Sequence, residues 1–168
     1  MADLERFMHA QDSRHAGYAT ALAELRAGRK QSHWIWYVFP QLTGLGRSSM
    51  AVRYALADVD EAMAYLRDPA LAQRLVAAAA AVRSHVAPER GAGAPLEVVM
   101  GSDIDALKLV SSMTLFARVA AQMIADGDTR RELPDLLAHA VAILDAAATH
   151  GYERCAHTEQ ALAAFGKR

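Results

Sequence analysis

A β-sheet needs at least two strands, and this sequence offers one strand-like run. His33-Trp34-Ile35-Trp36-Tyr37-Val38-Phe39 is rich in aromatic and β-branched residues. Its only weak partner is the short run LEVVM at 96–100. Without a partner the run reads as a short helix, capped by Ser32 and stopped before Pro40. Elsewhere helix formers dominate, since the 168 residues include 37 alanines. The expected fold is all-α: one compact domain over 1–168 with about six to eight helices.

Caps and punctuation set the expected order of elements. Leu4, Phe7, Met8, Gln11, Tyr18, Leu22 and Leu25 recur at helical spacing, which predicts one helix over 3–27 closed by Gly28. The stretch 41–49, QLTGLGRSS, is a loop with Gly44 and Gly46 as breakers. Helices are expected from Ser48 or Ser49 to 57, after Asp58, and from Pro69 to about 85. A Gly- and Pro-containing loop covers 87–95. A long helix runs over 103–125, another from Pro134 to 151, and Thr158 caps a short last one.

Composition excludes several classes. The net charge is −1, so wholesale electrostatic binding to nucleic acid or a membrane surface is not expected. The single cysteine, Cys155, excludes an internal disulfide and any multi-cysteine metal centre. The seven histidines lack metal-ligand spacing, and neither a metal nor a resident cofactor is expected. Cys155 followed by His157 reads as an incidental cysteine and not as a nucleophile–base pair. With no targeting signal and no window of about 20 apolar residues, the expectation is a soluble, cytoplasmic protein, monomeric or homodimeric.

Two segments carry chemistry. Residues 32–54, SHWIWYVFPQLTGLGRSSMAVRY, hold both tryptophans, and no acidic residue occurs between Glu24 and Asp58. A Gly-x-Gly-Arg-Ser turn that enters a helix N-terminus has the physics of an anion site, with Arg47 and Ser48 as added donors. Trp34 and Trp36 could stack on a base. His33, Gln41 and Gly46 complete the candidate ligand-binding set from this segment. The alternative is that the aromatics are core and the glycines only shape a turn; GLG is no P-loop.

Residues 103–116, DIDALKLVSSMTLF, form the second segment. At about 100° per residue, Asp105, Lys108, Ser111 and Ser112 share one polar arc. Leu115 and Val119 interrupt that arc further along, as in the wall of a pocket and unlike a solvated face. Asp105 and Lys108 are the candidate catalytic pair, and Ser111 and Ser112 the candidate ligand-binding pair. The alternative is a surface ion pair beside serines in a tight helix crossing.

The blocks HW-x-W-x-x-FPQL-x-GLG-x-S and D-x-x-KL-x-SSMTLF, with the preceding ELRAGRK, closely resemble the bacterial family known as domain of unknown function 1810. The resemblance covers about 3–119, and the family core is expected over about 3–125, followed by variable helices over 128–168. Members are sometimes labelled calpastatin, a label that does not suit a folded helical domain, because calpain inhibition comes from disordered segments. The resemblance implies a multi-helical fold and supplies no reaction. More remotely, the chain is similar to the NADAR group, helical proteins tied to NAD and ADP-ribose chemistry. That likeness implies a pocket for a nucleotide-like, phosphate-bearing molecule and N-glycosidic hydrolysis of an ADP-ribose derivative. The competing reading is a non-enzymatic interaction module with the Trp-x-Trp segment as an exposed anchor. The two readings part on geometry: the first requires both segments to converge on one concave site.

Overall fold

A computed structural model describes residues 2–165 of the chain. Ten α-helices occur among the described residues: α1 (Glu5–Gln11), α2 (Tyr18–Arg26), α3 (Ile35–Val38), α4 (Ser49–Arg53), α5 (Val59–Arg67), α6 (Pro69–Val86), α7 (Leu96–Met100), α8 (Asp103–Ala125), α9 (Glu132–Thr149) and α10 (Ala156–Phe165). Helix accounts for 66% of the structure, and the only β feature among the described residues is one parallel bridge between Leu42 and Leu56. The all-α expectation holds, with more helices than the six to eight expected.

The excess has two physical sources. The predicted helix over 3–27 is two helices, because the chain turns sharply at 12–17. Ala16 takes a left-handed φ of 51°, and a Cβ on Gly17 would lie 2.0 Å from the Ser13 carbonyl. Only glycine fits that close approach, and it then caps α2. The weak strand candidate at 96–100 is α7, entered through Pro95 and left through Gly101 in the left-handed region at φ 81°.

α8 is the central helix. It packs along α9 and also against α5, α7 and α10, while α6 closes on α2 and α9. Its buried face includes Leu109, Val110, Met113, Leu115, Phe116, Val119 and Met123. An aromatic chain links the outer helices to it: Phe7 meets Tyr65 edge-on at 5.2 Å, and Tyr65 meets Phe116 at 5.4 Å between ring centroids. Buried Gln11 ties α1 to this core, donating to the Tyr37 carbonyl at 2.7 Å and to the Tyr65 hydroxyl at 3.1 Å. Contrary to the expectation that no segment is apolar enough, α8 could span a bilayer by length and mean hydropathy (1.2). Within the fold, 67% of that window is buried, which is what a central core helix requires.

α9 belongs to the same core. Leu133, Leu136, Ala140, Ile143, Leu144 and Ala147 are buried against α6 and α8. α10 begins at Ala156, so Thr158 is not its cap: it lies in the first turn and is fully buried.

Candidate functional site

The end of α2 sets the geometry. The Lys30 N–H donates to the Val99 carbonyl of α7 at 2.8 Å. Gly101 lets the chain turn tightly here, since a Cβ would sit 2.8 Å from the Lys30 carbonyl oxygen. The first turn of α8, capped by Ser102, therefore lies against Lys30. Lys30 Nζ reaches Asp105 Oδ2 at 2.7 Å, donates to the Ser32 carbonyl at 2.5 Å and stands 5.0 Å from the Trp34 ring centroid. Asp105 Oδ1 is also 3.6 Å from Lys108 Nζ, which lies 5.3 Å from the Trp36 ring centroid. The two segments singled out in the sequence thus meet directly where Lys108 lies over Trp36, and Lys30, just ahead of the first segment, links its Trp34 to Asp105.

Glu24, which the sequence reading passed over, anchors the Trp segment from the other side. Its carboxylate accepts from the Ser32 hydroxyl (2.5 Å), the Ser32 N–H (3.0 Å), the Gln31 N–H (3.0 Å) and Trp34 Nε1 (2.7 Å). Burial works to raise its pKa, but these hydrogen bonds outweigh it and hold the group at about 2. The acid-free stretch between Glu24 and Asp58 is therefore not a free positive patch. Lys30, its most buried cation, is neutralised by Asp105 from α8.

One cleft joins the two segments. Its volume is about 340 Å³, and it is lined by Gln41 and Leu45 from the loop, by Ile104, Leu107, Lys108, Val110 and Ser111 from α8, and by Glu153 and Cys155 ahead of α10. The wall is largely apolar, with Ile104 (66% exposed) and Leu107 (55%) standing open. Gln41 is 8% exposed, and its carbonyl accepts from the Leu56 N–H at 2.9 Å. A larger cleft of about 400 Å³ between α8, α9 and α10 contains none of the residues expected from the sequence.

The remaining expected residues separate from this cleft. Trp34 is fully buried, so it neither stacks on a base nor anchors a partner; it is core. Trp36 is half-buried, with its indole N–H buried and unpartnered. Asp105 does not line the cleft, because its oxygens are engaged by Lys30 and Lys108. Ser111 lines it, whereas Ser112 is fully buried with an unpartnered hydroxyl. His33 is exposed, and only its carbonyl is engaged, by the Tyr37 hydroxyl. Ser48 caps α4 by accepting from the Ala51 N–H at 3.1 Å, a role that leaves its O–H as a donor. Arg47 is exposed beside it, and Gly46 packs so closely on Ala51 that a Cβ would meet that side chain at 2.6 Å. α4 has five residues, too short for the helix dipole that the anion-site reading invoked.

Comparison with known proteins places this geometry. Residues 1–127 match the family model described as protein of unknown function (DUF1810). The chain belongs to that family. A crystal structure of the conserved hypothetical protein Rv1873 from Mycobacterium tuberculosis is similar over 91% of this chain and 92% of that one, at 38% identity and a TM-score of 0.71. No curated protein matches the chain. Neither match extends to the NADAR group. The family match stops at 127, yet the cleft is completed by Glu153 and Cys155, beyond it. No spacing rule in the sequence links Cys155 to Ser111. Only the return of the chain after α9 brings them together.

Proposed function

We propose that the protein binds a small organic anion in the cleft between the 41–45 loop, α8 and the segment ahead of α10. The observation that carries this reading is convergence: Lys108, Ser111 and the 8% exposed Gln41 line one cleft with a largely apolar wall. Lys108 supplies the charge, Gln41 and Ser111 supply directional hydrogen bonds, and Leu45, Leu107 and Val110 supply apolar area. Nucleotide-like and ADP-ribose-like molecules remain in the class, with Trp36 as the aromatic nearest the charge. Hydrolysis of an N-glycosidic bond would ask Asp105 to face the substrate, and its engagement with Lys30 favours a binding role for the site. The interaction-module reading loses its exposed anchor with Trp34 in the core.

Thermal-shift measurements with ADP-ribose, NAD, nucleotides and simple dicarboxylates test the reading. A ligand present at about 100 Kd stabilises by about 2.7 kcal/mol. The shift should appear in the wild type and vanish in Lys108→Met. No shift with any of them, or a shift that survives in Lys108→Met, would contradict it.

A further inference from the structure

α9 and α10 both pack on α8 but scarcely on each other, which leaves a trough of about 400 Å³ along α8. Thr114, Ala117, Arg118 and Ala121 of α8 line it, with Leu137 and Val141 of α9 and Glu159, Leu162 and Ala163 of α10. Within each helix these residues recur at steps of three and four, which puts them on one face. Ala117 and Leu162 are buried and make an apolar floor, while the small side chains of Ala121 and Ala163 leave the space above it open. Thr114 is the uncharged polar side chain in the trough, and it is already engaged. Its hydroxyl donates to the Val110 carbonyl at 2.7 Å and accepts the Cys155 N–H at 3.3 Å. The floor therefore suits methylenes and not polar groups.

The rim is charged. Arg118 stands on α8 and Arg154 on the segment that enters α10. Both are exposed, and neither forms an ion pair among the described residues. Glu159 is the one carboxylate lining the trough among the described residues, so positive charge is in excess there. The arginine stems extend the apolar surface, and their planar forks match a carboxylate.

We propose that this trough binds an unbranched medium-chain carboxylate, at a second site separate from the cleft beside the 41–45 loop. The acyl chain lies along Ala117, Leu162, Leu137 and Val141, and Arg118 and Arg154 attract its head. Glu159 opposes the head and keeps the affinity moderate. The volume falls within the range of small-molecule sites, about 300–1,000 Å³. α9 and α10 lie beyond residue 127, so the family match does not supply this trough.

Isothermal titration calorimetry on the full chain, with octanoate, decanoate and dodecanoate below their micelle concentrations, tests the proposal. The wild type should bind one decanoate per chain. Affinity should rise about five- to tenfold for each two methylenes added, as buried hydrocarbon requires. Decanol and decylamine carry the same chain without the negative charge and should bind about tenfold more weakly. Arg118→Gln and Arg154→Gln should each weaken decanoate about three- to tenfold and leave decanol unchanged. Glu159→Gln should tighten decanoate. Ala163→Trp, at an exposed position, should fill the trough and abolish binding, with circular dichroism reporting the intact fold. Should that variant fail to fold, the two exposed arginines carry the test. No binding of any of the three carboxylates, decanol binding as tight as decanoate, an affinity indifferent to both arginines, or binding that survives in a folded Ala163→Trp chain would overturn the proposal. Uptake of several decanoates per chain with loss of the helical signal would mark a detergent effect and overturn it as well.

Discussion

At the scale of single residues, the site rests on two carboxylates with different tasks. Glu24 collects its hydrogen bonds from 31–34 and fixes the start of the Trp segment. Its folded pKa of about 2 lies below the ordinary 4.5, so its contribution to stability is complete above pH 4.5 and is lost as the pH falls toward 2. Glu24→Gln should cost about 2 kcal/mol near neutral pH, the range for hydrogen bonds to a charged acceptor. Urea denaturation at about pH 6 and about pH 3 should show the wild type losing more stability than the variant. Asp105 neutralises Lys30, whose side chain is only 5% exposed. Asp105→Asn leaves that ammonium buried without its counter-charge and should destabilise by about 3 kcal/mol. Lys108 is the more open partner, and Lys108→Met should change stability by less than about 1 kcal/mol. Denaturant midpoints of the two variants check this asymmetry, and equal losses would contradict it. Asp105 and Lys108 were legible in the sequence as a pair on one helix arc. The stronger partner was hidden, because Lys30 lies 75 residues away and nothing local pairs it with α8.

At the scale of elements, capping and periodicity recovered the helices that carry their own signals. Asp58, Asp68 and Ser102 each accept an N-cap hydrogen bond at the start of their helices. Reading failed where tertiary contact overrides local preference. The 12–17 turn is set by the fit of Gly17 against Ser13, invisible to a count of apolar spacings. α7 adopts a helical turn because its N–H and C=O groups find partners around Pro95 and Lys30 and no strand lies alongside. Thr158 looks like a cap in sequence but is drawn inward by Ser111, 3.4 Å away. Ser112 is the converse case. Its hydroxyl is buried without a partner, so Ser112→Ala should leave stability unchanged or raise it by up to about 1 kcal/mol, measured by thermal unfolding. α9 lies outside the family match yet fills the space between α6 and α8. A chain ending at Asp128 exposes the faces against which Leu133, Leu136, Ile143 and Leu144 are buried. It should lose cooperative unfolding, with each exposed leucine or isoleucine forfeiting about 1.5–3 kcal/mol. Circular dichroism melting decides the point, and a cooperative transition near that of the full chain would show that α9 is dispensable.

At the scale of the whole molecule, a net charge of −1 gives no basis for wholesale electrostatic binding, and the proposed function rests on one cleft. The all-α class and the meeting of the two segments were both readable from the sequence. The third wall was not, since Glu153 and Cys155 join only after α9 has crossed the core. The central claim, that the cleft binds an organic anion through Lys108, is tested most directly by isothermal titration calorimetry with whichever anion gives the largest thermal shift. The account predicts one site per chain, a Kd that weakens with ionic strength, and affinity losses of about 1.5–3 kcal/mol in Lys108→Met and about 1 kcal/mol in Gln41→Ala, without loss of fold. Unchanged affinity in both variants would contradict it.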